Sequence, residues 1–193
     1  MITKETPYFE YDTKNIGTIQ QIALQFVFDT VDLNKIAFCG GIADYLNLRE
    51  YYDMPVNDLD LVYENEEDLK LLMIELNYKR YVSKFYSTKT GETLVFKYKF
   101  GDSNLNMDTF PKDFSTIELQ ESWLLGKKVL HFSFNQMKKV HNEEIPLKTS
   151  EARGNSYEWK RLYKHSKKAS LYNNIIFLQE KNLIGTIKRA FVK

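Results

Sequence analysis

Cys39 is the only cysteine in the chain, so no intramolecular disulfide can form. That fits a reducing compartment, and the cytoplasm is the expected location. No apolar run approaches the roughly 18 residues that a membrane-spanning helix needs. The first residues, Met1 to Pro7, hold no apolar signal core. A soluble protein without a membrane partner is expected. The histidines number three, His131, His141 and His165, and they are scattered. No Cys/His spacing of a zinc site occurs. Charge of one sign is lacking as well. Lys and Arg total 27 against 26 Asp and Glu, for a net charge of +1 and a pI near 7.7. A general nucleic-acid binder would carry a basic excess; a local basic patch is still compatible with this balance.

Apolar residues supply 43% of the 193 positions and charged residues 27%, enough for a packed core. Aromatics reach 15%, with 13 Tyr and 13 Phe. They are expected to fill the core rather than to form a stacking platform for bases. Trp123 and Trp159 are expected as core anchors, and Cys39, inside an apolar run, as a buried structural thiol.

Periodicity outlines the elements. Residues 1–13 are expected to form a loosely tied arm. Ile16, Ile19, Ile22, Ala23, Phe26, Val27 and Val31 recur at helical spacing and predict one amphipathic helix from Lys14 to Val31. Ile36 to Cys39 is a short apolar strand, stopped by Gly40-Gly41, and Ile42 to Leu48 continues as a helix. Tyr51 to Val56 is a loop with Pro55. Asp58 to Tyr63 alternates polar and apolar residues like a strand. Glu64 to Asn77 is a helix with Glu66, Glu67 and Asp68 in its first turn, where the macrodipole favours acids, and Leu69, Leu72, Met73 and Leu76 on its apolar face. Strands follow at Tyr78–Tyr86, Glu92–Phe100 and Asn104–Phe110, then a hairpin of Ser115–Trp123 and Lys128–Phe134 around Gly126. Gln136 to Asn142 is helical, 143–155 a connection broken by Pro146 and Gly154, and helices return from Ser156 to Leu178 and from Leu183 onward. The fold class is α+β: a mixed twisted sheet, parallel early and antiparallel later, with flanking helices. Residues 1–145 would form the main domain, and 146–193 a helical segment packed on it.

Chemistry concentrates at two places. A strand ends at Gly40-Gly41 where a helix begins. Glycine lets a ligand approach the backbone, and a helix N-terminus offers unpaired N–H groups, so phosphate oxygens suit this turn; a plain turn is the alternative. Asp58 and Asp60 stand two apart on a strand, which puts both carboxylates on one face while Leu59 and Leu61 face the core. Two such carboxylates repel unless a divalent cation lies between them, and hard oxygen ligands suit magnesium; a solvated strand edge is the alternative. Asp108 lies in a third alternating run and reaches the same face if its strand neighbours that of Asp58 and Asp60. A two-ion site is then chemically sensible.

Gly40-Gly41-Ile42-Ala43-Asp44-Tyr45-Leu46 and Asp58-Leu59-Asp60-Leu61-Val62, with sixteen residues between Gly41 and Asp58, resemble the signature of the nucleotidyltransferase superfamily with the DNA polymerase beta-like fold. The Gly-Gly-x-Ala form is most similar to small antibiotic nucleotidyltransferases, of the aminoglycoside and lincosamide kinds, and to abortive-infection toxin-type members. The likeness covers about residues 14–145. It implies Gly40 and Gly41 at the triphosphate and Asp58 and Asp60 as metal ligands. Asp108 would be a third ligand, or the base that deprotonates the acceptor hydroxyl. The implied cofactor is Mg2+, two ions, with Mn2+ as a substitute. Asn57 departs from the basic or histidine residue that antibiotic enzymes often carry before the first acid, and the C-terminal segment lacks the Lys-Asp pattern of relatives.

Lys160, Lys164, Lys167 and Lys168 can share one helix face. Lys164 and Lys168 are taken as triphosphate-binding, with an ordinary basic surface as the alternative. Asp44 is expected as a surface helix acid, with positioning of the nucleotide or the turn as the alternative. Arg49, Tyr51 and Tyr52 either touch substrate or are solvated. The expected activity is metal-dependent transfer of a nucleoside monophosphate from a nucleoside triphosphate, ATP included, to a hydroxyl of a small-molecule acceptor, releasing pyrophosphate. The alternatives are a toxin-type transferase acting on transfer RNA or protein, and a non-catalytic nucleotide-binding module. Neither the acceptor nor the oligomeric state is encoded in any motif.

Overall fold

The strand Ile36–Cys39 (β1) is buried on both faces, which is why it is apolar throughout rather than alternating. Its odd and even positions feed two separate cores. Ile36 and Phe38 join Leu24, Val27, Leu59, Leu61 and Leu72 on one side of the sheet. Ala37 and Cys39 join Val62, Met137, Tyr172 and Ile175 on the other. A computed structural model describes residues 6–78, 82–88, 91–100, 103–151 and 156–181, with side chains at 73 and 76–106 outside that description. Positions 79–81, 89–90, 101–102 and 152–155 and the helix expected from Leu183 onward lie outside the described residues.

Around β1 stand β2 (Leu59–Tyr63), β3 (Val82–Thr88), β4 (Gly91–Phe100), β5 (Ser103–Pro111), β6 (Leu119–Leu124) and β7 (Lys127–Phe132). They make one seven-stranded sheet in the order β3-β4-β5-β2-β1-β7-β6. The sheet is mixed, as expected, but the distribution differs from the expected one. The first pair, β1 with β2, is antiparallel. The parallel pairs are β2 with β5 and β1 with β7. The reason is the loop after Leu48: it returns the chain along the neighbouring strand instead of crossing the sheet, so two later strands supply the parallel partners.

Helices α1 (Phe9–Asn15), α2 (Thr18–Thr30) and α4 (Lys70–Tyr78) belong to the first-core side, and α5 (Phe134–Glu151) and α6 (Ser156–Glu180) to the second. Helix α3 (Gly40–Leu48) feeds both cores, with Ile42, Tyr45 and Leu46 in one and Ala43 and Leu48 in the other. Among the described residues no helix is long and apolar enough to cross a membrane.

Four expectations are corrected. The helix expected from Lys14 to Val31 is two, because Ile16 is extended and Gly17 starts a new helix. The helix expected from Glu64 begins instead as a 3-10 turn over Glu66–Leu69. Residues 143–151 are helix, not connection: α5 runs through Pro146 and across the expected 145/146 boundary. Proline removes the donor to the carbonyl of Asn142, but both residues are exposed, so water can serve it. The following turn is tied down by Lys148, which pairs with Glu151 at 2.7 Å and reaches Glu158 of α6 at 3.8 Å. Trp159 is 57% exposed, not a core anchor, because only the later half of α6 packs inward, through Ala169, Tyr172 and Ile175.

The expected loose arm is also corrected over its described part. Asp12 of α1 is fully buried. Its Oδ1 accepts from Tyr45 Oη at 2.7 Å and from Arg49 Nη1 at 2.8 Å, and its Oδ2 accepts from the Leu125 N–H at 2.9 Å. Burial pushes the Asp12 carboxyl up, against the Arg49 guanidinium. The last contact matters because Leu125 and Gly126, the turn of the β6–β7 hairpin, both have positive φ, 47° and 78°. Leucine is a poor residue for that conformation. Asp12 and the burial of Leu125 hold it there. Arg49 is therefore structural, neither solvated nor at the site.

Removing one partner of a buried ion pair costs about 3–5 kcal/mol, because the other charge stays buried. Asp12→Ala is expected to lower the melting temperature by roughly 10 °C, whereas exposed Lys35→Ala, which breaks only a surface pair with Asp68, should move it by about 2 °C or less. Thermal melting of both variants checks this.

Candidate active site

Strand parity and register assemble the site. Leu59 and Leu61 are fully buried in the first core, so Asp60 faces the other way, with Cys39 and Val62. Cys39 pairs with Asp60 across the β1–β2 ladder, and Asp60 pairs with Asp108 across the parallel β2–β5 ladder. Met107 is in the first core, so Asp108 shares the face of Asp60. A row Cys39, Asp60, Asp108 thus crosses the sheet. Asp58 immediately precedes β2.

These carboxylates feel one another. The Asp60 carboxyl is pushed up to about 6 by burial, then by Asp108 and Asp58, against the partial relief of Lys164 and a hydrogen bond from the Gly41 N–H. Asp108 is raised by burial and by Asp58. Burial raises the Cys39 thiol, with Asp60, Asp108 and Asp44 adding to it, so Cys39 stays an inert thiol as expected. Among the described residues no three Asp, Glu, His or Cys side chains are gathered as a ready metal-binding group. The donor set still fits a hard divalent cation: oxygen ligands only, with like charges whose mutual repulsion a cation would relieve.

The two glycines have different duties. Gly40 has φ +54°, and a Cβ there would stand 1.8 Å from Asp60 Oδ2. Gly40 is therefore required by the Asp60 carboxylate, which lies against the start of α3. A Cβ on Gly41 would meet only the Asp58 carbonyl at 3.5 Å, an ordinary contact. Gly41 instead borders the cavity.

That cavity has two lobes sharing Gly41, Asp58, Lys164 and Lys168. The acidic lobe, about 510 Å³, adds Asp60, Asp108, Arg161 and His165. The apolar lobe, about 390 Å³, adds Tyr52, Met54, Pro55 and Leu171. All the expected site residues, Gly40, Gly41, Asp58, Asp60, Asp108, Lys164 and Lys168, border the acidic lobe. Lys167 reaches only the apolar lobe, and Lys160 borders neither.

Two expectations about side chains are corrected. Asp44 is not a surface acid; it is fully buried. Its Oδ1 accepts from His141 Nε2 at 2.8 Å and from Tyr172 Oη at 3.0 Å, and its Oδ2 accepts from Lys168 Nζ. Burial works to raise the Asp44 carboxyl, but His141 and Lys168 outweigh it and hold it below the ordinary range. This one side chain ties α3 to α5 and α6, and so hangs the basic helix over the acids. Nor are the histidines all scattered: His141 Nδ1 lies 3.0 Å from His165 Nδ1. His131 stays apart as a core residue, with Nδ1 donating to the Phe132 carbonyl at 2.8 Å and Nε2 accepting from Ser122 Oγ at 2.8 Å. The sequence held one usable signal for the pair, since Asp44 is the one charged residue of a mostly apolar helix.

The Asp60 carboxyl titrates near 6 rather than at 3.8, so the folded state holds its proton longer than the unfolded chain. The penalty is absent below pH 4 and fully present above pH 6, where two units correspond to about 3 kcal/mol. Asp60→Asn, which can still accept from Gly41, should therefore melt roughly 6–12 °C higher than the wild type at pH 8 without metal. The gain should shrink toward pH 4. Melting curves across that range test it, and an equal or lower melting temperature at pH 8 contradicts it.

No family model matches the chain, and no curated protein matches it in sequence. Solved structures do. An antigenic nucleotidyltransferase-like protein from Paracoccidioides brasiliensis is 15% identical, with 91% of this chain and 93% of that one covered, at a TM-score of 0.43. A candidate nucleotidyltransferase from Thermotoga maritima is 13% identical, with 76% of this chain and 95% of that one covered, at a TM-score of 0.51. The second likeness, together with the mixed sheet and its flanking helices, shows an α+β, nucleotidyltransferase-like fold.

Proposed function

We propose that the protein is a metal-dependent nucleotidyltransferase: it moves a nucleoside monophosphate from a nucleoside triphosphate to a hydroxyl of a small-molecule acceptor and releases pyrophosphate. The observation that carries the reading is the pairing of Asp60 with Asp108 beside Asp58, under the Gly40-Gly41 helix start and opposite Lys164 and Lys168. Acids alone would repel a polyphosphate, and lysines alone would bind one without orienting it. Together they divide the work. Asp58, Asp60 and Asp108 would hold Mg2+, or Mn2+ in its place. Lys164 and Lys168 would meet phosphate oxygens as point charges. When bound, the metal would supply charge neutralisation at the phosphates and acidify an attacking hydroxyl. The raised Asp60 carboxyl supports this, because a site that stores carboxylate repulsion gains most from a cation.

The cavity also restricts the acceptor. Lys164, Lys167 and Lys168 border the apolar lobe, next to Tyr52, Met54, Pro55 and Leu171. Asp53 and Asp58 line the same lobe, so its wall carries both signs of charge beside an apolar floor. An acceptor with a flat apolar part suits it. A second reading, transfer to RNA, draws on Trp159 and Tyr163, 57% and 70% exposed on the basic half of α6. Exposed aromatics among lysines can stack on unpaired bases.

The test is pyrophosphate release from each nucleoside triphosphate with Mg2+ or Mn2+, using water, a panel of small hydroxyl compounds and total RNA as acceptors. Release is expected with the wild type. Asp58→Ala, Asp60→Ala and Asp108→Ala should each lower it by about 100-fold or more, with α-labelled nucleotide marking the acceptor. Unchanged release in all three variants would mean that the carboxylates hold no reacting group.

A further inference from the structure

The histidine pair is left over once the acids and lysines have been given their work. His165 borders the acidic lobe together with Asp58, Asp60 and Asp108. Its Nδ1 is engaged with His141 Nδ1 at 3.0 Å, and the far side of His141 is engaged with buried Asp44 at 2.8 Å. His165 Nε2 makes no hydrogen bond among the described residues. We propose that Asp44, His141 and His165 form a proton relay, with His165 Nε2 as the base that takes the proton from the attacking hydroxyl.

The tautomers follow from the partners. The Asp44 carboxylate can only accept, so His141 carries its proton on Nε2 and donates it to Oδ1. In neutral His141 the Nδ1 is then a lone pair, so His165 must donate from its own Nδ1. That leaves the lone pair of His165 on Nε2. Burial, then His141, Lys168, Lys164 and Arg161 all disfavour a charge on His165, which titrates near 4, so the ring is neutral in the free protein. A neutral imidazole with a free Nε2 is an acceptor of protons. The groups around it come from three elements: His141 from α5, Asp44 behind it from α3, and Arg161, Lys164 and Lys168 from α6. Binding of an anionic triphosphate would offset those cations and strengthen the base.

The step balances. The acceptor oxygen forms a bond to the α-phosphorus, and the bond from that phosphorus to the bridging oxygen breaks. Pyrophosphate leaves with the bonding pair. The hydroxyl proton goes to His165 Nε2, and the Nδ1 proton of His165 can pass to His141 Nδ1. The new charge then rests on His141, beside the Asp44 carboxylate, rather than among the lysines. Water takes the proton after product leaves. Lys168 and Tyr172, the other donors to Asp44, keep that carboxylate fixed while the charge moves.

This role rests on the transferase reading above, and its test separates the two. The first measurement needs no substrate. In the free protein at pH 7, nitrogen-15 imidazole shifts should show His165 protonated on Nδ1 alone and His141 on Nε2 alone. The second is pyrophosphate release with water as acceptor. His165→Gln should lower kcat about 100-fold with KM for the nucleotide within about threefold, and should remove the acid limb of the pH profile. His141→Gln, a positioning change, should lower kcat about tenfold and shift that limb without removing it. A folded wild type that releases no pyrophosphate with any nucleotide sinks the reading of the site and this role together. Release by His165→Gln at the wild-type rate and pH dependence, or a proton on Nε2 of neutral His165, overturns the relay alone.

Discussion

The carboxylate of Asp60 sits where the side chain of residue 40 would be. A Cβ on Gly40 would stand 1.8 Å from Asp60 Oδ2, so any side chain there would displace that carboxylate and, at φ +54°, strain the backbone as well. The consequences spread in both directions. The antiparallel pairing of Cys39 with Asp60 brings the acid to the point where the sheet gives way to a helix. The Gly41 N–H, one of the donors a helix start leaves unpaired, works to lower the proton affinity of that acid. Asp60 thus lies against a helix start and, in the proposed function, is a metal ligand. Its raised titration reflects how incompletely one N–H and a distant lysine offset burial beside two other aspartates.

A second buried acid sets the other wall of the cavity. Asp44, one turn further along the same helix, takes hydrogen bonds from His141, Lys168 and Tyr172. Breaking it would leave an ammonium and an imidazole without their partner and would untie α5 and α6 from the sheet. The two aspartates of one helix–strand unit therefore do complementary things. Asp60 faces an uncompensated acidic row, whereas Asp44 is matched by the Lys168 ammonium and by the donors of His141 and Tyr172. The result is a cavity with carboxylates on the sheet side and lysines on the helix side, the charge pattern that suits a metal–polyphosphate pair.

Much of this was legible in the sequence because it depends on local rules. Alternation placed Leu59 and Leu61 inward and Asp60 outward, and the glycine pair marked the end of β1. Asp108 could be named because its strand alternates too, although its pairing with Asp60 depends on a strand order that no local pattern encodes. What was illegible involves long separations in the chain. Asp12 was unremarkable in a polar stretch, because its partners Arg49 and Leu125 come from distant turns. Asp44 reads as a surface acid from its local sequence, since its partners His141, Lys168 and Tyr172 lie about a hundred or more residues further on. The pattern ends the α5 helix at Asn142 because Pro146 reads as a breaker, yet exposure of the orphaned carbonyl removes the usual reason to stop. The outward turn of Trp159 follows from how little of the first half of α6 meets the core.

The central claim is that the acids and lysines form one site for a metal and a nucleotide together. Thermal shift with each nucleoside triphosphate, with and without Mg2+, tests it most directly, because a ligand that binds the folded state raises its apparent stability by mass action. The account predicts a shift of several degrees for at least one nucleotide only when Mg2+ is present. Asp58→Asn and Lys168→Met should each lose it, one acid and one cation being equally necessary. A nucleotide shift independent of Mg2+, or one that survives in Asp58→Asn, would contradict the claim, as would the absence of a shift with every nucleotide.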